Sequence, residues 1–369
     1  MPSVVVVGGG AMGSAAGWQL ARRGADVVLL EQFGPGHGRG SSHGSSRIVR
    51  LSYADPFYVD LAAAAYAQWE ELEAEANEQL LTWTGVVDHG ERSTVEAISA
   101  VLSERGHAVE AIDPSEAKER WPGLRLERPI LFHPRGGRAH ADRTVAALKR
   151  VAGQLGAEIR HEARVDAIVA KADGVEIRAG DDTWRADAVV IAVGAWSSSV
   201  LDGIVTLPNL TVTREQPAHF PPVDTTASWP SFIHHLVDAS TRGSATPRGA
   251  YGLPSPDGVK VGHHAVGPVV DPDEAVSGVD AQRLKSLQDY VAEWIPGVDA
   301  NRPDAVPCLY TLTDDSDFIV DKVGPVTIAA GFSGHGFKFT PQIGSIVADL
   351  VLDAGPAPPR FRLNRPYVV

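Results

Sequence analysis

The chain has 369 residues, 44 % hydrophobic, with 37 Gly and 26 Pro, which suits two domains sharing an interface and many turns rather than disorder. Lys and Arg number 33 against 46 Asp and Glu, a formal charge of −13 without a basic block, so neither nucleic acid nor an anionic membrane surface is an expected partner, although a local cationic pocket remains open to a small anion. No run of about 18 apolar residues could span a bilayer, Met1-Pro2-Ser3 lacks the basic region of a secretory leader, and the one cysteine, Cys308, rules out a disulfide framework and a Cys-cluster metal site: the expectation is a cytoplasmic protein without a metal.

Val4 to Val7 read as a strand buried on both faces. Gly8-Gly9-Gly10-Ala11-Met12-Gly13 follows, then a helix from Ser14 to Arg23 closed by Gly24, and a strand from Val27 to Leu30 ending on Glu31. An amphipathic helix is expected over 56–76, with Glu70, Glu71, Glu73 and Glu75 on the wet side. Between Leu80 and Pro134 short strands and a helix near 94–105 alternate with punctuation at Pro114, Pro122, Gly123 and Pro129. Thr144 to Leu155 is helical, and strands follow at Glu158–His161, Val165–Ala170, Val175–Arg178 and Ala188–Val193, the last stopped by Gly194-Ala195-Trp196. Residues 208–272 are Pro-punctuated and β-like, Ala281 to Trp294 is a helix, Ile319 to Ala330 is strand-rich, and Ile343 to Leu352 is a late helix. Nothing repeats at a fixed period.

Gly8-x-Gly10-x-x-Gly13 between strand and helix has a physical rationale. Gly8 permits the tight turn, Gly10 lets a pyrophosphate approach the backbone, and Gly13 lets the helix pack on the sheet. The helix start offers amide donors and a positive dipole end, and Glu31 can accept from ribose hydroxyls. This unit implies a dinucleotide, and by itself leaves FAD and NAD open. The buried strand Asp187 to Val193 ending in Gly194 supplies a second backbone segment that could approach the cofactor, or else is simply another central strand.

Further segments are more specific: Gly40-Ser41-Ser42-His43-Gly44-Ser45-Ser46-Arg47-Ile48-Val49-Arg50, Cys308-Leu309-Tyr310-Thr311-Leu312-Thr313 with Asp317 to Asp321, and Gly331-Phe332-Ser333-Gly334-His335-Gly336-Phe337-Lys338-Phe339. With Tyr251-Gly252-Leu253-Pro254 through Lys260-Val261-Gly262-His263-His264, they resemble the monomeric sarcosine oxidase and N-methyltryptophan oxidase family, within the wider D-amino-acid-oxidase-like flavoenzymes. The resemblance spans nearly the whole chain. It implies an α/β plus β fold: a discontinuous Rossmann-type FAD-binding domain (1–80, 140–210 and 305–369) and a mainly β substrate domain carrying helices (81–139 and 211–304).

A lone cysteine is ordinarily a small buried hydrophobe; the resemblance implies instead that Cys308 carries the FAD covalently. Arg47 and Arg50 would pass for a solvated basic pair, but the family pattern places Arg47 against the flavin and Arg50 in the substrate pocket. His43 and Ser46 fall at matching cofactor positions, Ser46 standing where Thr is more usual. The remaining cofactor contacts implied are Ala11, Met12, Gln32, Ser41, Ser42, Val165, Gly194, Trp196, Gly331, Gly334, His335 and Gly336, with Lys338 counted both there and on the substrate. Lys260 matches a lysine that speeds reaction with oxygen. With Lys260, the resemblance implies Arg47, Tyr251 and His264 as catalytic residues; Tyr251, His264 and Tyr310 also match substrate-pocket residues, whereas His263 stands where an aromatic such as Tyr is expected, which would alter the amine pocket's shape. Asp317 and Asp321 read as structural.

The implied activity is oxidation of the C–N bond of a small secondary amino acid by FAD, with O2 reduced to H2O2 by a monomeric enzyme. Sarcosine or another N-methyl amino acid leads the choices, followed by L-proline, pipecolate and larger N-alkyl amino acids. The rivals are a flavin dehydrogenase with another acceptor, a fructosyl amino acid oxidase, and a non-catalytic nucleotide-binding protein.

Overall fold

A computed structural model describes residues 1–171, 173–236, 249–274 and 278–365. The expected strand–turn–helix–strand unit is present as Ser3–Val7, Ala11–Arg22 and Asp26–Leu30, the strands parallel with Val4 opposite Val27. It nucleates a six-stranded sheet in the order 319–323, 326–330, 188–191, 3–7, 26–30, 158–160. All neighbours are parallel except the edge strand Ile319–Val323.

Burial on both faces explains the all-valine strand. Val4 and Val6 join the core beneath the helices Ala11–Arg22, Ala141–Gln154 and Thr340–Val351. Val5 and Val7 meet Val175 and Ile177 of an antiparallel meander formed by Ala167–Lys171, Gly174–Ala179 and Asp182–Ala186. Two of the helices touch at Gly344, where any Cβ would lie 2.6 Å from the Ala15 carbonyl.

An eight-stranded mixed sheet runs in the order 304–305, 218–220, 258–263, 249–255, 231–235, 86–90, 130–133, 110–111. Its neighbours are antiparallel apart from Ser231–His235 beside Val86–Gly90. Strand period two sorts the residues between its faces. Val87, Phe232, Val261 and Phe220 pack with Leu287 and Val291 of the helix Ala281–Trp294. Asp88, Ile233, Tyr251 and Lys260 belong to the opposite face by register. Leu210–Glu215 pairs with Cys308–Thr313 from Thr313 to Cys308, and Gly137–Ala139 pairs with both Arg47–Val49 and Leu81–Trp83.

The helix Pro56–Ala76 starts on an Asp55 cap and stops at Asn77, whose φ of 49° is left-handed. Its acidic residues do more than face water: Glu75 accepts from Trp18 Nε1 at 2.8 Å, Glu71 pairs with Arg22, and Glu73 accepts from the amides of Leu80 and Leu81. The first helix begins at Ala11 rather than Ser14 because Gly10 caps it and Gly13 sits within its first turn. The last begins at Thr340, with Pro341 in the first turn, where its missing N–H costs nothing. For the same reason Pro114, expected as punctuation, opens a helix over Pro114–Arg120 behind Asp113. The strand Asp182–Ala186 was not expected; Asp182, Thr183 and Arg185 are exposed, and only Trp184 and Ala186 turn inward, too few to carry a strand signal. The part of the expected β stretch at 237–248 lies outside the described residues. Among those residues no helix is long and apolar enough to cross a membrane.

Candidate active site

A cavity of about 1270 Å³ runs from the first βα turn to the face of the eight-stranded sheet. It exceeds the roughly 300–1,000 Å³ of an ordinary small-molecule pocket, which leaves room for a dinucleotide and a substrate together. It is lined by Gly8, Gly10, Ala11, Met12, Glu31, Gln32, Ser41, Ser42, His43, Ser46, Arg47, Arg50, Val165, Gly194, Trp196, Tyr251, Lys260, His264, Cys308, Tyr310, Gly331, Gly334, His335, Gly336 and Lys338. Of the expected site residues only Gly13 stays off the wall. A methyl there would lie 1.8 Å from the Gly8 carbonyl oxygen and 3.4 Å from Ala192 Cβ, so Gly13 serves the approach of the helix to the turn and to the strand end beside it. Gly13→Ala is expected to cost flavin retention, read as the flavin-to-protein absorbance ratio; full loading would show that helix and turn can part without harm.

The turn itself is tightly held. Gly8 has φ +101°, with no space for a Cβ against the Ala192 carbonyl oxygen at 2.5 Å. Glu31, 5 % exposed, accepts from the Gly9 amide at 2.7 Å and the Phe33 amide at 2.9 Å. Lys149 was missed: from the helix Ala141–Gln154 it reaches this turn, and burial lowers its pKa while Glu31 opposes the shift. A lone lysine in a helix carries no signal that could have found it.

The loop 40–47 is fastened from several sides. Ser42 Oγ accepts from the Ala11 amide, Ser41 Oγ donates to the Leu309 carbonyl, and the Leu309 amide returns to Gly40. Arg47 donates to the carbonyls of Ser41, His43 and Ser46, each at 2.7 Å, so its guanidinium shapes this loop as well as lining the cavity. Cys308 begins its strand beside the loop, half-buried, with its thiol pushed up by burial and drawn back down by Arg47 and Lys260. Lys260 is 4 % exposed and donates to the Ser46 carbonyl at 3.4 Å; burial first, then Arg47, brings its pKa down to about 7.

Several buried polar atoms on this wall lack partners among the described residues: Nε2 of His43, Oγ of Ser46 and Oγ1 of Thr311. Burial, then Arg47 and Lys260, lower the His43 pKa to about 4, leaving a neutral ring. Buried polar groups are nearly always satisfied, so a ligand rich in carbonyls and N–H groups fits. The flavin of FAD is such a ligand.

At the other end, Arg50 lies over the Tyr53 ring, 4.4 Å from its centre, and donates to Ser52 Oγ. Lys338, 6 % exposed, donates to Tyr53 Oη and to the His335 carbonyl, both at 2.7 Å. Burial and then the Arg50 charge push the Lys338 pKa well below its usual value. Two cations expected from opposite ends of the chain are thus neighbours, and Tyr53, which links them, was missed. His335 spends its ring on Tyr53 and the Ser316 carbonyl, amid Phe318, Tyr58 and Phe339, and contributes its own carbonyl to Lys338.

Tyr251 and Tyr310 are hydrogen-bonded to each other, and burial raises both phenols. Gly334 (φ +74°) leaves space for the Tyr310 ring, which would sit 2.1 Å from a Cβ, and the His264 ring lies 5.6 Å from Tyr310. His263 does not shape this pocket. It packs edge-on against Tyr290 of the helix on the other sheet face, because strand alternation sends it away from the cavity. Asp317 and Asp321 are structural: Asp317 accepts from Tyr58 and Arg360, and Asp321 from the Leu363 amide.

Known proteins match the chain over nearly its full length. The family described as FAD dependent oxidoreductase (DAO) matches residues 3–350. Monomeric sarcosine oxidase of Bacillus sp. (strain B-0618) is 32 % identical over 367 residues, covering 95 % of this chain and 92 % of the relative. Peroxisomal sarcosine oxidase of Mus musculus is 32 % identical, covering 98 % and 95 %; N-methyl-L-tryptophan oxidase of Yersinia pestis is 28 % identical, covering 94 % and 93 %. The open form of NikD, an unusual amino acid oxidase essential for nikkomycin biosynthesis, superposes with a TM-score of 0.86 at 25 % identity, covering 100 % and 99 %. The chain belongs to the DAO family of FAD dependent oxidoreductases, as an amine oxidoreductase.

Proposed function

We propose that this enzyme oxidises the C–N bond of a small secondary amino acid, N-methyl or cyclic, with sarcosine the first choice. The amine and O2 become the imine and H2O2: the carbon beside nitrogen loses its hydrogen with the electron pair, nitrogen loses a proton, and oxygen takes up both electrons and both protons. The observation that carries the reading is the pair of cations, Arg50 and Lys338, set together on Tyr53 at the cavity wall. Bound FAD supplies the two-electron acceptor. Arg50 and Lys338 hold the substrate carboxylate, Tyr251, Tyr310 and His264 flank the amine, and Lys260 holds positive charge where oxygen is reduced. The first turn and the loop 40–47 hold the cofactor, with Glu31 on its ribose and Cys308 as the point of covalent attachment.

The cofactor domain is taken as 1–80, 140–210 and 305–369, the substrate domain as 81–139 and 211–304, in a cytoplasmic monomer. Oxygen-electrode assays across N-methyl, cyclic and fructosyl amino acids test the activity. Uptake with peroxide formation on sarcosine or a cyclic amino acid is expected. Anaerobic bleaching without aerobic turnover would assign another acceptor, and preference for fructosyl-glycine would assign the glycated class.

Covalent attachment has its own test. Acid precipitation of loaded wild type is expected to leave a yellow pellet, and Cys308→Ser to yield a colourless one. A colourless wild-type pellet would refute the linkage.

A further inference from the structure

The eight-stranded sheet presents one more polar group to the cavity. His235 ends the strand Ser231–His235 and lines the cavity beside Ile233 and Tyr251. Its Nε2 lies 2.9 Å from Asp88 Oδ1; 15 % of the histidine side chain is exposed against 1 % of the aspartate. A carboxylate only accepts, so Nε2 carries a hydrogen; in the imidazolium form Nδ1 carries one as well and can donate it to a second carboxylate. The adjacent His234 turns to the other face, stacked on His89 and against Trp294.

Asp88 is fully buried. Burial opposes its ionisation, but the His235 hydrogen bond and charge, aided by Arg50, outweigh that and hold its carboxyl below the usual range. Ser52 also faces this carboxylate, while its other oxygen, Oδ2, has no hydrogen-bond partner of ordinary geometry among the described residues. A buried carboxylate is expensive unless a positive group matches it, and here that group is an imidazole that also faces the cavity. An apolar substituent on the substrate would meet this ring without satisfying it, whereas an anionic oxygen on Nδ1 would complete a row of alternating charge with Asp88 behind.

We propose that His235, positioned by Asp88, determines specificity by receiving a second carboxylate of the substrate, beyond the one held by Arg50 and Lys338. The preferred substrate is then a secondary amino acid whose side chain or N-substituent is acidic. This rests on the amino-acid reading above. N-carboxymethylglycine is the simplest such compound.

The test uses holoenzyme and acids that lack nitrogen and cannot be oxidised: propanoate against malonate, butanoate against succinate, pentanoate against glutarate, each titrated by the change in flavin absorbance. At one chain length the dicarboxylate should bind roughly tenfold to a hundredfold more tightly, the scale of a hydrogen bond to a charged group. His235→Leu and Asp88→Asn should remove most of that preference, and His235→Gln, which keeps a donor, should retain part of it. No preference at any length, or a preference that survives His235→Leu, would overturn the proposal. Monocarboxylates that bind no better than their amides would instead overturn the carboxylate clamp on which it rests.

Discussion

Arg50→Ala is expected to lower kcat/KM for a carboxylate substrate by roughly 30-fold to several thousand-fold, since removing one partner of a buried, hydrogen-bonded charge pair costs about 2–5 kcal/mol. The argument starts from electrostatics. Lys338 is buried beside Arg50, and both effects disfavour its ammonium form. An anion between the two reverses the second effect: arginine's planar fork can hold a carboxylate bidentately, and lysine adds a point charge. With the carboxylate fixed, the adjacent C–N bond is oriented as well, so the loss should fall on both binding and rate. The matching amide should be a poor substrate of the wild type and scarcely respond to the mutation. Steady-state rates on sarcosine and sarcosine amide with both proteins decide it. Wild-type activity on the amide equal to that on the acid would sink the clamp and the amino-acid substrate class with it.

What the sequence revealed follows from how local each signal is. The phosphate loop was legible because strand, turn, helix and Glu31 lie within about thirty residues, and each glycine has a steric reason. The pairing of Arg50 with Lys338 was legible only through family segments, since no spacing rule links residues so far apart. Tyr53, which joins them, gave no signal, because an aromatic three residues after an arginine is commonplace. His264 was rightly expected at the cavity, but His263 was not legible: adjacent residues of a strand face opposite ways, and only the register shows that His263 turns to the helix side. Asp88 and His235 escaped notice because each sits in an ordinary-looking strand, and their partnership exists only through a parallel pairing across long sequence distance.

Lys260→Met should separate the two halves of the catalytic cycle. The lysine lines the cavity from the sheet face, next to Cys308 and Arg47, and on the proposed reading it serves the cofactor rather than the carboxylate. Anaerobic reduction by substrate should therefore stay within roughly tenfold of wild type, while reoxidation by oxygen falls by about 100-fold or more, the scale for losing a preorganised electrostatic partner in a dry site. The sign of the pH dependence follows from the same residue. Burial and Arg47 bring its pKa down to about 7, so the ammonium is lost as pH rises through that region. Negative charge on a neighbouring reduced cofactor would move the midpoint upward, never downward. Wild-type reoxidation should then be fast at low pH and slow above the midpoint, and the variant should be slow and flat throughout. Stopped-flow absorbance of the two half-reactions between about pH 6 and 9 reads both effects, a window that brackets the shifted midpoint. Equal losses in reduction and reoxidation would make Lys260 a substrate-positioning group, and a wild-type profile that rises with pH would exclude the ammonium as the form that serves oxygen.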